Sequence, residues 1–119
     1  MGVVYHGVYL EFFETGRTDL LRSAGLPYST IEREEGVMLP VLSASLTIRR
    51  PARYDDLLTV ESTVAPIEGA RLVISYRILC DERLLVEGET VHAFVAADTM
   101  RPLRPPASIV TALAAEASS

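Results

Sequence analysis

The chain has 119 residues, 49% of them hydrophobic, and a formal net charge of −5; this fits one domain with one core and leaves too little chain to enclose a deep cavity, so a deep ligand site would form between subunits. The acidic balance offers no basic face for nucleic-acid phosphates, and no apolar run approaches the ~18 residues that a membrane crossing needs. Cys80 is the single cysteine, which excludes an intrachain disulfide and a cysteine-rich zinc site and, with no signal-like leader, points to a reducing cytoplasm.

The first predicted element is a helix over about 8–24. Tyr9, Phe12, Phe13, Gly16, Leu20 and Ala24 recur at steps of three and four and form its apolar stripe. Glu11, Glu14, Thr18, Asp19 and Arg22 take the other side, with Glu14–Arg17 and Asp19–Arg22 spaced to pair across a turn. Gly25 and Pro27 stop it. From Val37 the period changes to two: Leu42, Ala44, Leu46 and Ile48 alternate with Ser43, Ser45, Thr47 and Arg49, which predicts a half-buried strand. The stretch 51–56 reads as a turn in which Asp55 and Asp56 serve turn geometry rather than a metal.

Leu58, Val60, Ser62 and Val64 form one face of a second strand, and Glu68-Gly69 marks a hairpin. Leu72, Ile74, Tyr76, Ile78 and Cys80 then alternate as the buried face of a third strand, where Cys80 reads as a plain buried thiol. Asp81-Glu82-Arg83 turns into a long fourth strand over 84–97, with a bulge or bend at Gly88. After a loop over 102–106, an alanine-rich helix over about 107–117 closes the chain. One helix and four strands joined by short turns predict an antiparallel meander against a helix: a single α+β domain over 1–119.

The opening stretch carries more. Gly2-Val3-Val4-Tyr5-His6-x-x-Tyr9-Leu10, then Phe13-Glu14-x-x-Arg17 and Leu21-Arg22, resembles the hot-dog fold acyl-CoA thioesterases of the 4-hydroxybenzoyl-CoA thioesterase group and its Tol-Pal-associated relatives. The resemblance continues through Leu39-Pro40-Val41, Pro51-Ala52-Arg53-Tyr54-Asp55-Asp56-Leu57-Leu58, Gly88-Glu89-Thr90-Val91-His92-Ala93-Phe94-Val95 and Arg101-Pro102-x-Arg104. It implies a sheet wrapped around one central helix, and subunits joined edge to edge into homodimers or homotetramers with active sites at the interface. The implied reaction is hydrolysis of an acyl-CoA to the free acid and CoA. No metal or cofactor is implied, since CoA enters as part of the substrate. In this family the first strand and the catalytic Asp precede the glycine matched by Gly2, and that Asp would fall two residues upstream of Met1.

The resemblance also assigns roles. A backbone N–H at the start of the central helix, here that of His6, binds the thioester oxygen, where the partial positive charge of a helix N-terminus stabilises developing negative charge. The His6 ring is the one titratable side chain in that corner suited to work near neutral pH. Tyr5, Tyr9 and Phe13 shape the acyl end, with core packing the competing reading for the tyrosines. Arg71, Arg101 and Arg104 fall where relatives meet the nucleotide and phosphates of CoA, a match to guanidinium chemistry, although such arginines are also often merely solvated. Glu14 is either the partner of Arg17 or a stand-in catalytic carboxylate. His92 is either a hydrogen-bonded core or interface histidine or a catalytic one. Two other activities share the fold: non-catalytic binding of acyl-CoA or acyl-carrier protein, and dehydration of a 3-hydroxyacyl thioester.

Overall fold

Turns of 3.6 residues bring Tyr9, Phe13, Gly16, Arg17 and Leu21 onto one side of the first helix, and that side is the buried one. The computed structural model describes the backbone of residues 6–117 and the side chains of 7–116. Helix α1, His6–Ser23, lies across the sheet on β3 and β4 (Thr59–Val64 and Arg71–Cys80). It approaches β3 closely at Gly16, where a Cβ would stand 2.5 Å from Ser62 Oγ and 2.9 Å from Val60 Cγ1. Its end is a Schellman motif. Gly25, at φ 78°, donates to the Arg22 carbonyl at 3.0 Å, and Leu26 donates to that of Leu21 at 2.8 Å, with both leucines buried.

A second helix follows that the periodicity does not announce. Helix α2, Tyr28–Glu34, starts after Pro27, whose carbonyl accepts from Thr30 and Ile31, and it buries only Ile31. Seven residues are too few to show a stripe.

Strand β1, Val37–Met38, pairs with β6, Val95–Ala96, as a small separate sheet. The main sheet adds β2, Val41–Ile48, and β5, Arg83–Ala93, in the order β2-β5-β4-β3 with every pair antiparallel. The expected meander therefore holds for β3-β4-β5 only. Strand β2 pairs across the sheet with β5, and the 49–58 connection that carries the chain to the far edge is longer than a turn. The expected long last strand divides at Phe94, where pairing passes from β4 and β2 to β1. Helix α3, Ala107–Ala117, packs Ile109 and Leu113 into the core beside β3.

Strand β4 matches its expected pattern, with Leu72, Ile74, Tyr76, Ile78 and Cys80 all buried. Strand β2 does not. Only Leu46 on it is partly covered, while Leu42 and Ile48 are 50% and 42% exposed in the single chain. Gly88 is also not a bulge: it pairs in register with Leu46 and Tyr76. Its lack of a side chain makes room for Phe13, whose ring stacks on Tyr76 at 4.5 Å between centroids and 8° between planes. No helix among the described residues is long and apolar enough to cross a membrane.

Candidate active site

His6 is the first described residue of helix α1, and the N–H groups in the first turn of a helix carry the positive end of the helix dipole. No acidic residue occupies that turn to neutralise it. Tyr5 lies outside the described residues, and so does the His6 side chain.

One turn on, Tyr9 is fully buried, and its hydroxyl accepts from the Ala52 N–H at 2.9 Å. This bond fixes the 51–56 connection to the start of α1. The connection is itself closed by the Asp56 carboxylate, which accepts from the Arg53 N–H at 2.8 Å, the turn role expected for that aspartate. Phe13 is likewise fully buried, between Gly88 and Tyr76. In the single chain neither Tyr9 nor Phe13 presents surface to a ligand, so core packing is the role that the structure displays for both. Glu14 stands on the exposed face of α1.

Backbone bonds around Phe94 set the two segments that carry the three arginines side by side. The Phe94 N–H donates to the Ala70 carbonyl at 3.3 Å, and its own carbonyl accepts from Leu103 at 3.0 Å; Ala96 donates to the Arg101 carbonyl at 2.9 Å. The 68–71 hairpin, which carries Arg71, is thereby set beside the proline-rich 101–105 segment that carries Arg101 and Arg104. Between them opens a cavity of about 500 Å³ lined by Gly69, Ala70, Pro102, Leu103, Arg104 and Pro105. Arg71, Arg101 and Arg104 are all exposed, and among the described residues none of them is held in an ion pair. The sheet arginines differ: Arg49 bonds Glu87 at 2.8 Å and Arg77 bonds Glu61 at 3.0 Å. Of the first three, Arg104 lines the cavity itself, and Arg71 and Arg101 are carried by the two segments that border it.

Behind α1 runs a buried polar chain. Arg17, 9% exposed, donates Nε–H to the Tyr28 hydroxyl at 2.8 Å and Nη1–H to the Tyr76 hydroxyl at 3.1 Å. Tyr76 meets Thr90 Oγ1 at 2.7 Å, Thr90 meets His92 Nε2 at 2.9 Å, and His92 Nδ1 lies 3.0 Å from the Leu39 carbonyl. This corrects the expected Glu14–Arg17 pair, because the guanidinium turns inward to two tyrosines. The Asp19–Arg22 pair does form, at 3.4 Å and exposed. Burial opposes the charge on Arg17, but the tyrosine hydrogen bonds outweigh it and leave the pKa above its ordinary value. Burial lowers the His92 pKa, and the Arg17 charge adds to the lowering against the Leu39 carbonyl. His92 thus takes the expected role of a hydrogen-bonded core histidine. Burial also pushes the Cys80 thiol up, helped by Asp56 and Asp81 and partly offset by Arg83, so it stays protonated, as a buried structural thiol should. The hub at Arg17 is absent from the sequence expectations. Its signal was position, since Arg17 follows Phe13 by one turn and precedes Leu21 by another on the inward face.

One long helix laid across an antiparallel sheet is the arrangement of the hot-dog class of α+β proteins. Within that class the chain belongs to the thioesterase-like superfamily, whose sequence model matches residues 1–113. It is 32% identical to the acyl-CoA thioesterase YbgC of Haemophilus influenzae over 111 residues, which cover 93% of this chain and 82% of that protein. It is 34% identical to the acyl-CoA thioester hydrolase YbgC of Escherichia coli O6:H1, covering 92% and 81% respectively. The crystal structure of Thermus thermophilus protein TT1821 superposes with a TM-score of 0.88 at 38% identity, covering 98% of this chain and 88% of that one.

Proposed function

We propose that this protein hydrolyses acyl-CoA thioesters, giving the free acid and CoA. The observation that carries the reading is its identity to the Haemophilus influenzae acyl-CoA thioesterase across 93% of the chain. In this reading the thioester carbonyl oxygen lies against the His6 N–H at the start of α1. As a tetrahedral intermediate forms, negative charge grows on that oxygen, and a fixed donor at the positive end of a helix stabilises the charge without reorganising. The bond from carbonyl carbon to sulfur then breaks and CoA leaves as the thiolate. In the family's mechanism a carboxylate attacks the carbonyl or activates the water. Tyr9 serves by holding the 51–56 connection against the helix start, and Phe13 by setting the height of α1 above the sheet.

Arg71, Arg101 and Arg104 bind the nucleotide phosphates. The cavity between the segments that carry them, which Arg104 helps to line, and the exposure of all three support this assignment. The enzyme acts as a homodimer or homotetramer in the cytoplasm, without a metal or resident cofactor. The exposure of Val41, Leu42 and Ile48, at 49%, 50% and 42%, favours pairing through the open edge of β2.

The test compares acyl-CoA with the same acyl group on pantetheine, which lacks the nucleotide, by release of free thiol. The wild-type KM should be at least about tenfold lower for acyl-CoA, since each charge-assisted phosphate contact contributes about 1.5–3 kcal/mol. The triple change Arg71→Ala, Arg101→Ala and Arg104→Ala should raise the acyl-CoA KM to the pantetheine level, with kcat within about threefold. Equal KM values for the two substrates in the wild type would remove the arginines from the site.

A further inference from the structure

We propose that the buried chain Arg17–Tyr76–Thr90–His92 is an acid-sensitive latch between the central helix and the 37–40 segment, held closed by neutral His92 and opened when the imidazole takes up a proton. The direction of the chain follows from its ends. A guanidinium only donates, so the Tyr76 hydroxyl accepts from Arg17. A carbonyl only accepts, so His92 Nδ1 carries a hydrogen and gives it to Leu39. The two hydroxyl protons between them then have one consistent arrangement: Tyr76 donates to Thr90, and Thr90 donates to His92 Nε2. Every proton has an acceptor and every bond points the same way, so each link polarises the next.

Protonating Nε2 reverses the last link. Thr90 must then accept from the ring and can no longer donate to it. Either Thr90 also accepts from Tyr76 and its own proton has no partner in the chain, or it donates to Tyr76 and the Tyr76 proton has none, because Arg17 offers no acceptor. Tyr76, Thr90 and His92 are only 1%, 3% and 0% exposed, so water does not reach the stranded proton, and the closed chain then holds a buried donor without a partner. The groups facing the ring are Arg17 from α1 and Thr90 from its own strand, with Tyr76 of β4 behind Thr90 and Tyr28 of α2 on the far side of Arg17. Among the described residues no carboxylate acts on it, and the one charge that does, on Arg17, repels a proton.

The sign follows. With its folded pKa lowered below the unfolded value of about 6.5, His92 binds more protons in the unfolded or opened form between those two values. The latch is therefore fully closed above about pH 6.5 and weakens as pH falls below it. What it releases is the 37–40 segment. That segment is otherwise held by burial of Val37 and Leu39 in the core, by the two-residue β1–β6 ladder and by the bonds from Ala97 to the Gly36 carbonyl and from Ala93 to the Pro40 carbonyl.

Two readouts on the wild-type protein test this. The chain has two histidines, so ¹⁵N NMR of the imidazoles is assigned by the signals that His92→Gln removes. The expected result is an Nδ1–H, Nε2-acceptor ring at pH 7 that titrates below the ~6.5 of a free histidine. The second readout is amide exchange, corrected for intrinsic rate. Protection at Ala93 and Ala97 should fall about tenfold between pH 7 and pH 5 while that of Ile74 in β4 changes less than about twofold, a sub-global opening. His92→Gln should lose that pH dependence, and Thr90→Ser, which keeps the hydroxyl, should retain it. An Nε2–H ring at pH 7, a titration at or above about 6.5, or pH-independent protection at Ala97 in the wild type would each overturn the proposal.

Discussion

Gly88→Ala is expected to lower the unfolding free energy by about 3 kcal/mol, and Gly88→Val to abolish accumulation of folded protein. A Cβ at residue 88 would run into the Phe13 ring on one side and stand 2.5 Å from the Ser45 carbonyl oxygen on the other. The backbone oxygen belongs to the neighbouring strand and has no rotamer to escape into. The ring is stacked flat on Tyr76 and has no exposure to swing into. Relief would have to lift α1 away from the sheet, and α1 carries the proposed oxyanion corner. Urea denaturation measures the loss. A change below about 1 kcal/mol would mean that the helix does not sit on the sheet at Phe13.

Arg17→Met is the second change of large effect, with an expected loss of about 2–3 kcal/mol. Methionine covers much of the same volume, so the loss reports the two tyrosine hydroxyls left without their charged donor rather than a cavity. Arg17→Lys should recover less than half of it, because one ammonium does not reproduce the fork that reaches Tyr28 and Tyr76 together. A double-mutant cycle with Tyr76→Phe should give a coupling of about 1 kcal/mol or more by chemical denaturation. Additive losses would show that the Arg17–Tyr76 bond contributes nothing of its own.

These two residues also mark where the sequence was readable and where it was not. Strand β4 could be read residue by residue, since it is central, its partners lie within the chain, and strict alternation is what a one-sided core demands. The stop of α1 at Gly25, the hairpin at Gly69 and helix α3 were legible because each depends on a local backbone rule. Strand β2 shows the same alternation as β4, yet it is exposed, because alternation records an apolar face without saying whether this chain or another covers it. Gly88 looked like a bulge because a glycine within a strand has two causes, and only the position of Phe13, 75 residues earlier in number, separates them. Arg17 looked like half of a surface pair because i,i+3 spacing to Glu14 is visible in sequence, whereas the tyrosines at 28 and 76 are not. Helix α2, which supplies one of those tyrosines, was too short to carry a period. Of the candidate site, the arginines at 71, 101 and 104 are candidates through family resemblance alone, and the nearness of the segments that carry them required the topology around Phe94.

The most direct measurement is thiol release from a panel of acyl-CoA substrates, aliphatic and aromatic, with purified protein at neutral pH and against a buffer control. At least one member of the panel should be hydrolysed with saturation kinetics and free CoA formed in equal amount to free acid. Saturable binding of acyl-CoA with thiol release no faster than the buffer would contradict hydrolysis and leave a binding protein of this fold. Hydration of an enoyl-CoA without thiol release would contradict it in favour of a dehydratase.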